Sequence, residues 1–471
     1  MHVSLAGRRD LAGEIYRQLR TAIVTGRLRP GDALPPTREL ARRLGVSRGT
    51  ATVAYDRLSG EGFVTSRVGA GTFVSEGVPR AGPNVMASDG ALRPRPVWNG
   101  VPLLNAGPAP AYEFRAGLID PSRFPFAAWR RLTARELRAS AVGRGYFVDT
   151  AGHPALRDAI ARYVGVSRGV TATPDDVIVT NGTQQAVDVI ARVLLSQGDG
   201  VAVEDPGHPP ARWLFDSLGL EVKGVPVDEQ GVIVDALPER ARLVYVTPAH
   251  QLPMGSTMSL SRRVALLRWA QQHDAAIVED DYDSEFRYTG RPVEPLRALD
   301  TSGRVIYVGS FSKTMLATLR LGYIVAPPAL APALQAAKQV SDLHTALPTQ
   351  AALAGFIDEG HLARHVRRMR GIYRARHEAI TDGISTRFSG ELRVVPSPVG
   401  LHVSATAAAA KPGDMEAVAQ RALAAGVAVH PLSVFRVDGP ARAGLVFGYG
   451  AIETEDIDDG LRRLVQAFHG R

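Results

Sequence analysis

The sequence predicts an α/β protein made of two unlike parts, and three observations lead to this prediction. The amino-terminal stretch is basic and shows helical apolar spacing followed by a hairpin pattern. A segment rich in Pro, Gly and Ala comes next, and the remainder alternates helical patterns with short apolar strands. Because 471 residues are too many for one ordinary core, we predict a first domain at 1–76, a linker at 77–112 and a second domain at 113–471.

Composition narrows the class of protein. The chain has no cysteine, which excludes disulfides and thiolate metal sites and is typical of a reducing compartment. Charges interrupt any apolar run at the amino terminus, and no stretch approaches the roughly 18 apolar residues of a membrane span. We therefore predict a soluble, cytoplasmic protein with no membrane partner.

The positive charge is placed unevenly along the chain. The net charge is +8, and the first 80 residues hold 13 arginines against 7 acidic residues, which accounts for +6 of it. This asymmetry favours an anionic partner such as nucleic acid, although a basic face that is only solvated is a common alternative.

Each element of the first domain follows from a local pattern. A first helix is indicated by apolar residues at helical spacing, which are Leu11, Ile15, Leu19, Ala22 and Ile23, and Gly26 is a stop signal. A short helix is predicted at 37–44, with Thr37 as its N-cap and Leu40 and Leu44 facing inward. Ser47 is expected to cap a third helix that runs to about Gly60 and buries Val53, Ala54 and Leu58. The stretch "FVTSRVGAGTFV" then predicts a hairpin with Gly69 at its tip.

This order of elements is that of a winged helix-turn-helix. In that geometry the third helix enters the major groove of duplex DNA by its first residues, here Arg48, Gly49 and Thr50. Arg38, at the start of the supporting helix, and Arg67, beside Gly69 on the wing, are expected near the phosphate backbone. A protein-binding module of the same shape is the alternative.

The second domain is predicted from buried strands separated by helical patterns. The strand patterns are "DVIVTNG", "GVAVEDP", "LVYVTP", "AAIVEDD", "VIYVG" and "LGYIVAP". Their alternation with helices predicts a mainly parallel sheet.

Lys313 raises a chemical question, because the chain has 4 lysines among its 55 basic residues and this one follows a buried strand. One use for such a lysine is a Schiff base with an aldehyde cofactor. Pyridoxal phosphate would also need a carboxylate for its pyridinium nitrogen, donors for its phosphate and a packed face for its ring.

Candidates exist for these requirements. The apolar strand "AAIV" runs into "EDDYDSEF", so Asp280 or a neighbour emerges at the carboxyl end of the sheet, and Tyr282 is placed to bond the phenolic oxygen. Donors for phosphate are expected from the amides of a helix start and from side chains that flank Lys313, which together are Gly182, Thr183, Gln184, Ser310, Ser312 and Arg320.

Metal binding is the plainer alternative for two of these patterns. "EDDYDSE" is dense in carboxylates, and His361 and His365 stand four apart as zinc ligands do. Carboxylate clusters of this kind are often solvated, and "GHLARHVRRMR" is more typical of a basic surface. We predict no metal site.

Taken together, these motifs make the chain resemble the MocR-type regulators, in which a GntR-like winged helix is fused to a fold-type I aminotransferase domain. The stretch "GRLRPGDALPPTRELARRLGVSRGTATVAYDRLSGEGFV" and the wing "RVGAGTFV" resemble the first part. The blocks "TNGTQQA", "VEDPGH", "TPAHQLPMG", "VEDDYDSEFRY", "SFSKTMLATLRLGY" and "GHLARHVRRMRGIY" resemble the second part in its order.

The resemblance implies roles for particular residues. Lys313 would form the Schiff base with pyridoxal phosphate, Asp280 would pair with the pyridinium, Tyr282 with the phenolate, and Arg320 with the phosphate. It also implies a large sheet domain, a small carboxyl-terminal α+β domain from about residue 340, and a head-to-tail homodimer.

Two positions depart from the family pattern. His208 stands where the family often has a tyrosine whose ring can cover the cofactor, and Val446 stands where related domains have an arginine that grips a substrate carboxylate. Arg442 lies on the same expected strand face but too far away to replace that arginine directly, and Arg212 is another candidate.

Three functions remain open from the sequence. The first is a regulator that binds operator DNA and senses a small-molecule effector through pyridoxal phosphate. The second is a working aminotransferase with an accessory domain, and the third is a regulator whose effector is pyridoxal phosphate itself. The winged helix favours the first and third, and Val446 argues against ordinary transamination of amino acids because a neutral side chain cannot hold a carboxylate as a guanidinium does.

Overall fold

The computed structural model describes residues 10–67, 69–76, 92–103, 109–142, 149–407, 409–440 and 442–470. The chain divides into two compact units, Met1–Arg95 and Pro96–Arg471. Much of the predicted linker, 77–91 and 104–108, lies outside the described residues, so its limits stay a prediction.

The amino-terminal unit has three helices and a three-stranded sheet. Within its described residues they are, in chain order, α1 (Leu11–Val24), β1 (Ala33–Leu34), α2 (Thr37–Leu44), α3 (Arg48–Gly60), β2 (Val64–Arg67) and β3 (Gly71–Val74). The sheet has the order β1-β3-β2 with antiparallel pairs, and Gly69 at the tip of the β2–β3 hairpin has φ +75°. Side chains of all three helices, including Leu19, Leu40 and Leu58, form one core. These are the parts of the predicted winged helix-turn-helix.

Two local predictions in this unit were wrong. Thr37 is the first residue of α2 and not its N-cap, because the cap position belongs to Pro36, which has no side chain that can accept a hydrogen bond. Val53 is 55% exposed because the buried face of α3 is set by Ala51, Ala54, Tyr55 and Leu58, and Val53 points away from that face. The Ser47 cap is confirmed, since its hydroxyl accepts from the Thr50 amide at 3.1 Å.

The second unit contains the remaining helices and strands. The helices are α4 (Phe126–Glu136), α5 (Ala139–Val142), α6 (Pro154–Arg168), α7 (Thr183–Leu194), α8 (Pro209–Ser217), α9 (Leu260–Gln272), α10 (Leu296–Leu299), α11 (Ala331–Asp342), α12 (Leu347–Asp358), α13 (His361–Arg387), α14 (Pro412–Ala424) and α15 (Ile457–Phe468). The strands are β4 (Tyr112–Glu113), β5 (Val177–Thr180), β6 (Gly200–Asp205), β7 (Glu221–Asp228), β8 (Gly231–Val232), β9 (Ala241–Val246), β10 (Ala276–Asp281), β11 (Val305–Ser310), β12 (Gly322–Val325), β13 (Arg393–Val394), β14 (His402–Thr406), β15 (Val427–Ala428), β16 (His430–Pro431) and β17 (Gly444–Gly448).

An eight-stranded sheet organises the second unit, in the order β5-β12-β11-β10-β9-β6-β7-β8. The five strands from β11 to β7 in that order are parallel, whereas β12 runs antiparallel to both β11 and β5. The mainly parallel sheet is therefore confirmed; the "LGYIVAP" strand β12 and the edge strand β8 run antiparallel to the parallel set. Strands β5, β11 and β12 are buried at every residue, as expected of a sheet covered on both faces.

The smaller sheet of this unit has the order β13-β14-β17-β16 and lies toward the carboxyl terminus. Its residues share one large core with α12, α13 and α15, which includes Phe356, Tyr373, Phe447 and Leu461. No helix among the described ranges is both long enough and apolar enough to cross a membrane.

Candidate cofactor site and DNA-contacting surface

Asp280 is the buried acid at the carboxyl end of the large sheet. It lies near the end of β10 and its residue is 3% exposed. Its Oδ2 accepts a hydrogen bond of 2.5 Å from the Tyr245 hydroxyl, whereas its buried Oδ1 has no hydrogen-bond partner in the described parts of the chain. Burial raises the pKa of Asp280 to about 7. A carboxylate held this way is costly unless a further donor reaches it.

Tyr245, on the neighbouring strand β9, was missed in the sequence. Its hydroxyl also lies 3.1 Å from His208 Nδ1, and the two rings are stacked at a centroid distance of 6.2 Å. Because the Tyr245 hydroxyl donates its hydrogen to Asp280, His208 Nδ1–H donates to the tyrosine oxygen. Burial lowers the pKa of His208 to about 4, so the imidazole is neutral at pH 7. A hydrogen-bonded chain thus runs from His208 through Tyr245 to Asp280.

Tyr282 follows β10 and is fixed by a second polar group. Its hydroxyl donates to the His250 carbonyl at 2.9 Å and lies 3.2 Å from His250 Nδ1. That nitrogen is 3.0 Å from both oxygens of Asp283. The phenol is therefore held at the sheet edge beside Asp280.

Lys313 lies three residues beyond β11, next to the same edge. Its Nζ donates to the carbonyl of Gly117, a residue nearly 200 positions earlier that the sequence did not indicate. Burial lowers the pKa of Lys313, and the nearby carboxylates Asp283 and Asp280 oppose that shift. A lowered pKa favours the neutral amine, which is the nucleophilic form.

A candidate anion site lies where α7 begins. Gly182 precedes the helix with φ +78°, and a Cβ there would stand 2.8 Å from Arg320 Nη2. Arg320 has φ +52°, a conformation rare outside glycine, and its Nη2 donates to the Asn181 carbonyl at 2.9 Å. The free amides of Thr183 and Gln184 at the helix start complete an anion site.

The remaining candidates for this anion site contribute differently. The Ser312 amide donates to the Ser310 hydroxyl at 3.1 Å, which shapes the turn before Lys313. The Gln184 side chain donates to the Pro210 carbonyl, which directs it toward α8, and its backbone amide faces the start of α7.

These residues fit pyridoxal phosphate. The unpartnered Oδ1 of Asp280 is the acceptor that a pyridinium N–H needs, the α7 start with Arg320 suits a phosphate, and Lys313 supplies an amine. When bound, the cofactor supplies an electron-withdrawing ring that activates an attached amine.

The metal alternatives have other partners. Asp281 is paired with Arg168 at 2.6 Å, and Glu279 accepts from the Leu296 and Arg297 amides at 2.9 and 2.8 Å. His365 is buried against the ring of Phe124, so it does not share a ligand site with His361.

One buried trio, His250, Asp283 and His402, has metal-compatible spacing. His250 is already paired with Asp283, and His402 Nε2 contacts the Pro253 carbonyl at 3.1 Å.

Val446 lies in a closed apolar cluster. It is fully buried on β17 with Val227, Met254, Leu432 and Phe435. The two arginines considered as replacements both donate to backbone carbonyls. Arg442 donates to the Val227 carbonyl at 3.2 Å, and Arg212 donates to the Arg436 carbonyl.

In the amino-terminal unit, the predicted DNA-contacting residues lie on the surface. Arg48 begins α3, Arg38 lies in the first turn of α2, and Arg67 ends β2; all three are exposed. Arg67 is steadied by Phe73, whose ring lies 5.3 Å below its guanidinium. Thr50 is half-buried, and its hydroxyl is 2.8 Å from Ser47.

Together, the fold and this site define a protein with a winged helix-turn-helix unit followed by a unit of the aminotransferase type. The family model "Bacterial regulatory proteins, gntR family" matches residues 11–74, and the model "Aminotransferase class I and II" matches residues 119–464. The chain belongs to the MocR-type regulators, which combine these two families, and it binds pyridoxal phosphate.

Relatives match over nearly the whole length. The chain is 37% identical over 467 residues to the probable rhizopine catabolism regulatory protein MocR of Rhizobium meliloti, covering 97% of this chain and 93% of that protein. It is 34% identical to the pyridoxine biosynthesis transcriptional regulator PdxR of Corynebacterium glutamicum, covering 94% and 93%.

A solved structure resembles the second unit. The α-aminoadipate aminotransferase LysN of Thermus thermophilus, crystallised with N-(5'-phosphopyridoxyl)-L-leucine, aligns with a TM-score of 0.70 and 31% identity. The alignment covers 76% of this chain and 92% of that one.

Proposed function

We propose that this protein controls transcription by binding duplex operator DNA and that a small molecule at the Lys313 site changes that binding. The observation that carries the proposal is the buried, half-satisfied carboxylate of Asp280 near the half-buried amine of Lys313, in a chain that also displays arginines on a winged helix. A site that only stabilised the fold would gain nothing from the unpartnered oxygen.

Roles follow from the contacts at the site. Lys313 holds the cofactor covalently, and Asp280 accepts from its pyridinium. The Tyr282 hydroxyl turns its hydrogen from the His250 carbonyl to the phenolic oxygen of the cofactor. Arg320 and the α7 start, with Gly182, Thr183 and Gln184, bind its phosphate, and Ser310 and Ser312 shape the turn beside it. His208 covers the ring, held by its bond to Tyr245.

On the DNA side, α3 enters the major groove with Arg48 and Thr50 facing base edges. Arg38, and Arg67 beside Gly69 on the wing, hold phosphates. The capping bond from Ser47 supports this role because it fixes the first turn of α3, where the contacts begin.

The effector is either pyridoxal phosphate itself or an amine without a carboxylate beside its nitrogen. The Val446 cluster adjoins the site at two points: Ala116 packs against the cluster and precedes Gly117, and the Phe435 carbonyl accepts from Gly207, which precedes His208. A carboxylate entering this apolar wall would lose its hydration without gaining a cationic partner.

A working aminotransferase is the second candidate, favoured by the 31% identity of the second unit to LysN. An aminotransferase would consume an amino acid steadily, whereas a regulator would show a change in the cofactor spectrum that stops at one equivalent of ligand.

We further propose a cytoplasmic, head-to-tail homodimer. Its tests are sedimentation equilibrium for the dimer and cross-linking between the winged helix of one copy and the second unit of the other for its arrangement.

Matched pairs of ligands test the effector class. Tyramine with L-tyrosine, and cadaverine with L-lysine, differ only by the carboxylate, and each is titrated against holoprotein while the cofactor absorption and operator binding are recorded. We expect the amines to perturb the spectrum at lower concentration than the amino acids. Tighter binding of both amino acids would contradict the interpretation of Val446, and operator binding that differs between apoprotein and holoprotein without any amine would identify pyridoxal phosphate as the effector.

A further inference from the structure

A second basic surface lies on the aminotransferase-type unit. We call it the arginine face, and it consists of Arg130, Arg131, Arg135 and Arg138 on and just after α4, with Arg364, Arg367, Arg368, Arg370 and Arg374 on α13. All nine residues are exposed. The two helices meet at His361, whose ring nitrogens lie 3.1 Å from Arg131 and 3.1 Å from Arg364.

The net charge of this face differs in sign from that of the rest of the unit. Residues 1–95 hold 15 basic and 8 acidic residues, so residues 96–471 hold 40 and 39, a net charge of +1. The stretches 126–138 and 359–375 together hold 9 arginines and 2 glutamates, a net charge of +7, which leaves −6 for the rest of that unit. This near-neutral unit thus has a local net positive charge on one face, and the rest of it is net negative.

Most of these arginines keep their charge uncompensated. Arg131 and Arg135 share Glu359, and Arg135 also pairs with Glu136 at 2.8 Å. Arg364, Arg370 and Arg374 donate to the backbone carbonyls of Glu359, Glu285 and Tyr288, which orient the guanidinium without neutralising it. Within the described ranges, Arg367 and Arg368 form no ion pair.

Helix geometry aligns the α13 arginines. The buried side of α13 carries Leu362, His365, Met369 and Tyr373, and the arginines occupy the opposite side over residues 364–374. Ten residues of helix span about 15 Å, a length over which duplex DNA presents several phosphates, since each strand carries one charge per about 3.4 Å of its axis. Planar guanidinium groups suit phosphate oxygens well.

We propose that the arginine face binds the phosphate backbone of the same DNA molecule, at phosphates other than those held by the winged helix. The proposal rests on the DNA binding proposed above. It adds a sequence-independent, salt-sensitive term to operator affinity, carried by the unit that also holds the cofactor.

The test compares two triple variants of the full-length holoprotein. Arg364→Gln, Arg367→Gln and Arg368→Gln remove three charges from the face, and Arg240→Gln, Arg242→Gln and Arg268→Gln remove three exposed charges elsewhere in the same unit. Operator affinity is measured on a long fragment from 50 to 300 mM salt, with the cofactor spectrum as a check on folding.

We expect the face variant to lower the slope of log affinity against log salt by about 2 to 3 units, since each phosphate contact contributes about 0.9. The control variant should leave the slope unchanged. Equal slopes for all three proteins would overturn the proposal. A face variant that keeps the wild-type slope but no longer sediments as a dimer would also overturn it. If wild-type protein bound no DNA at all, the proposed function itself would fail.

Discussion

The two units differ in how far their functional charged side chains are exposed to solvent. In the winged-helix unit, Arg38, Arg48 and Arg67 are exposed and need no neighbouring acid, so their energy depends on salt and on the partner. In the second unit, Asp280 and Lys313 lie in a low-dielectric region where every added or lost partner counts strongly. Substitutions should therefore have large, localised effects at the cofactor site and small, nearly additive effects on the DNA surface.

The largest effect is expected at Lys313. Lys313→Ala removes the only lysine at this sheet edge among the described residues, so covalent cofactor labelling after borohydride reduction should disappear completely. Peptide mapping by mass spectrometry measures it. Recovery of the pyridoxyl label on Lys223, Lys338 or Lys411 in wild-type protein would refute the assignment.

Asp280→Asn should weaken cofactor binding by about 10- to 100-fold, because it removes a charge-assisted hydrogen bond worth about 1.5 to 3 kcal/mol. Equilibrium dialysis measures this. Asp281→Asn is the matched control, since Asp281 is paired with Arg168 and Tyr307 instead. The two variants losing cofactor equally would argue against a special role for Asp280.

Asp280→Asn should also change how the unfolding free energy of the cofactor-free protein depends on pH. A carboxyl whose folded pKa is raised, here to about 7, stabilises the fold fully below its unfolded pKa of about 4 and loses that contribution as pH rises through 7. Asp280→Asn should therefore flatten the fall in unfolding free energy between pH 4 and 8, by on the order of 4 kcal/mol. Urea titrations across this range measure it. Some pH dependence should persist, because burial also raises the pKa of Glu204, Glu279 and Asp283 to about 7.

Tyr245→Phe should have a smaller effect at the same place. It removes one donor from Asp280 and one acceptor from His208, so we expect a cofactor affinity about 5- to 10-fold lower and a shifted pH dependence of the bound-cofactor absorption. Tyr307→Phe, which removes a bond to Asp281, is the control. An unchanged absorption titration in Tyr245→Phe would show that the chain from His208 to Asp280 does not reach the cofactor.

The smallest effects belong to single arginines on the DNA surface. Arg38→Gln should reduce affinity for all sequences similarly and lower the salt slope by about one unit, whereas Arg48→Gln should also relax preference among operator variants. Gel-shift titrations on operator variants at several salt concentrations distinguish the two. Wild-type affinity in the Arg48→Gln, Arg38→Gln double variant would place the DNA elsewhere.

The sequence predicted what local pattern controls and missed what distant segments bring together. Lys313, Asp280 and Arg320 each sit at the end of an apolar strand or beside a turn, where a polar residue stands out. Tyr245 was hidden because "LVYVTP" has the pattern of an ordinary core strand, and its hydroxyl matters only once β9 lies beside β10.

Other features depended on geometry that no short pattern contains. Gly117 meets Lys313 across nearly 200 residues. On α3, Val53 was predicted to be buried because it is apolar. The buried face of the helix is instead formed by residues that include Ala51, Ala54 and Leu58.

The scarcity of lysine has a practical consequence for chemical labelling. Of the 4 lysines, Lys338 is buried and paired with Asp342, and Lys313 is half-buried in the proposed cofactor site, so Lys223 and Lys411 are the exposed amines among the side chains. Amine-directed reagents and stray aldehydes therefore meet an unusually sparse target, because a guanidinium stays protonated and does not condense with them. A fluorophore attached through lysine would report from two known positions, which makes the native chain suitable for distance measurements without first engineering its surface.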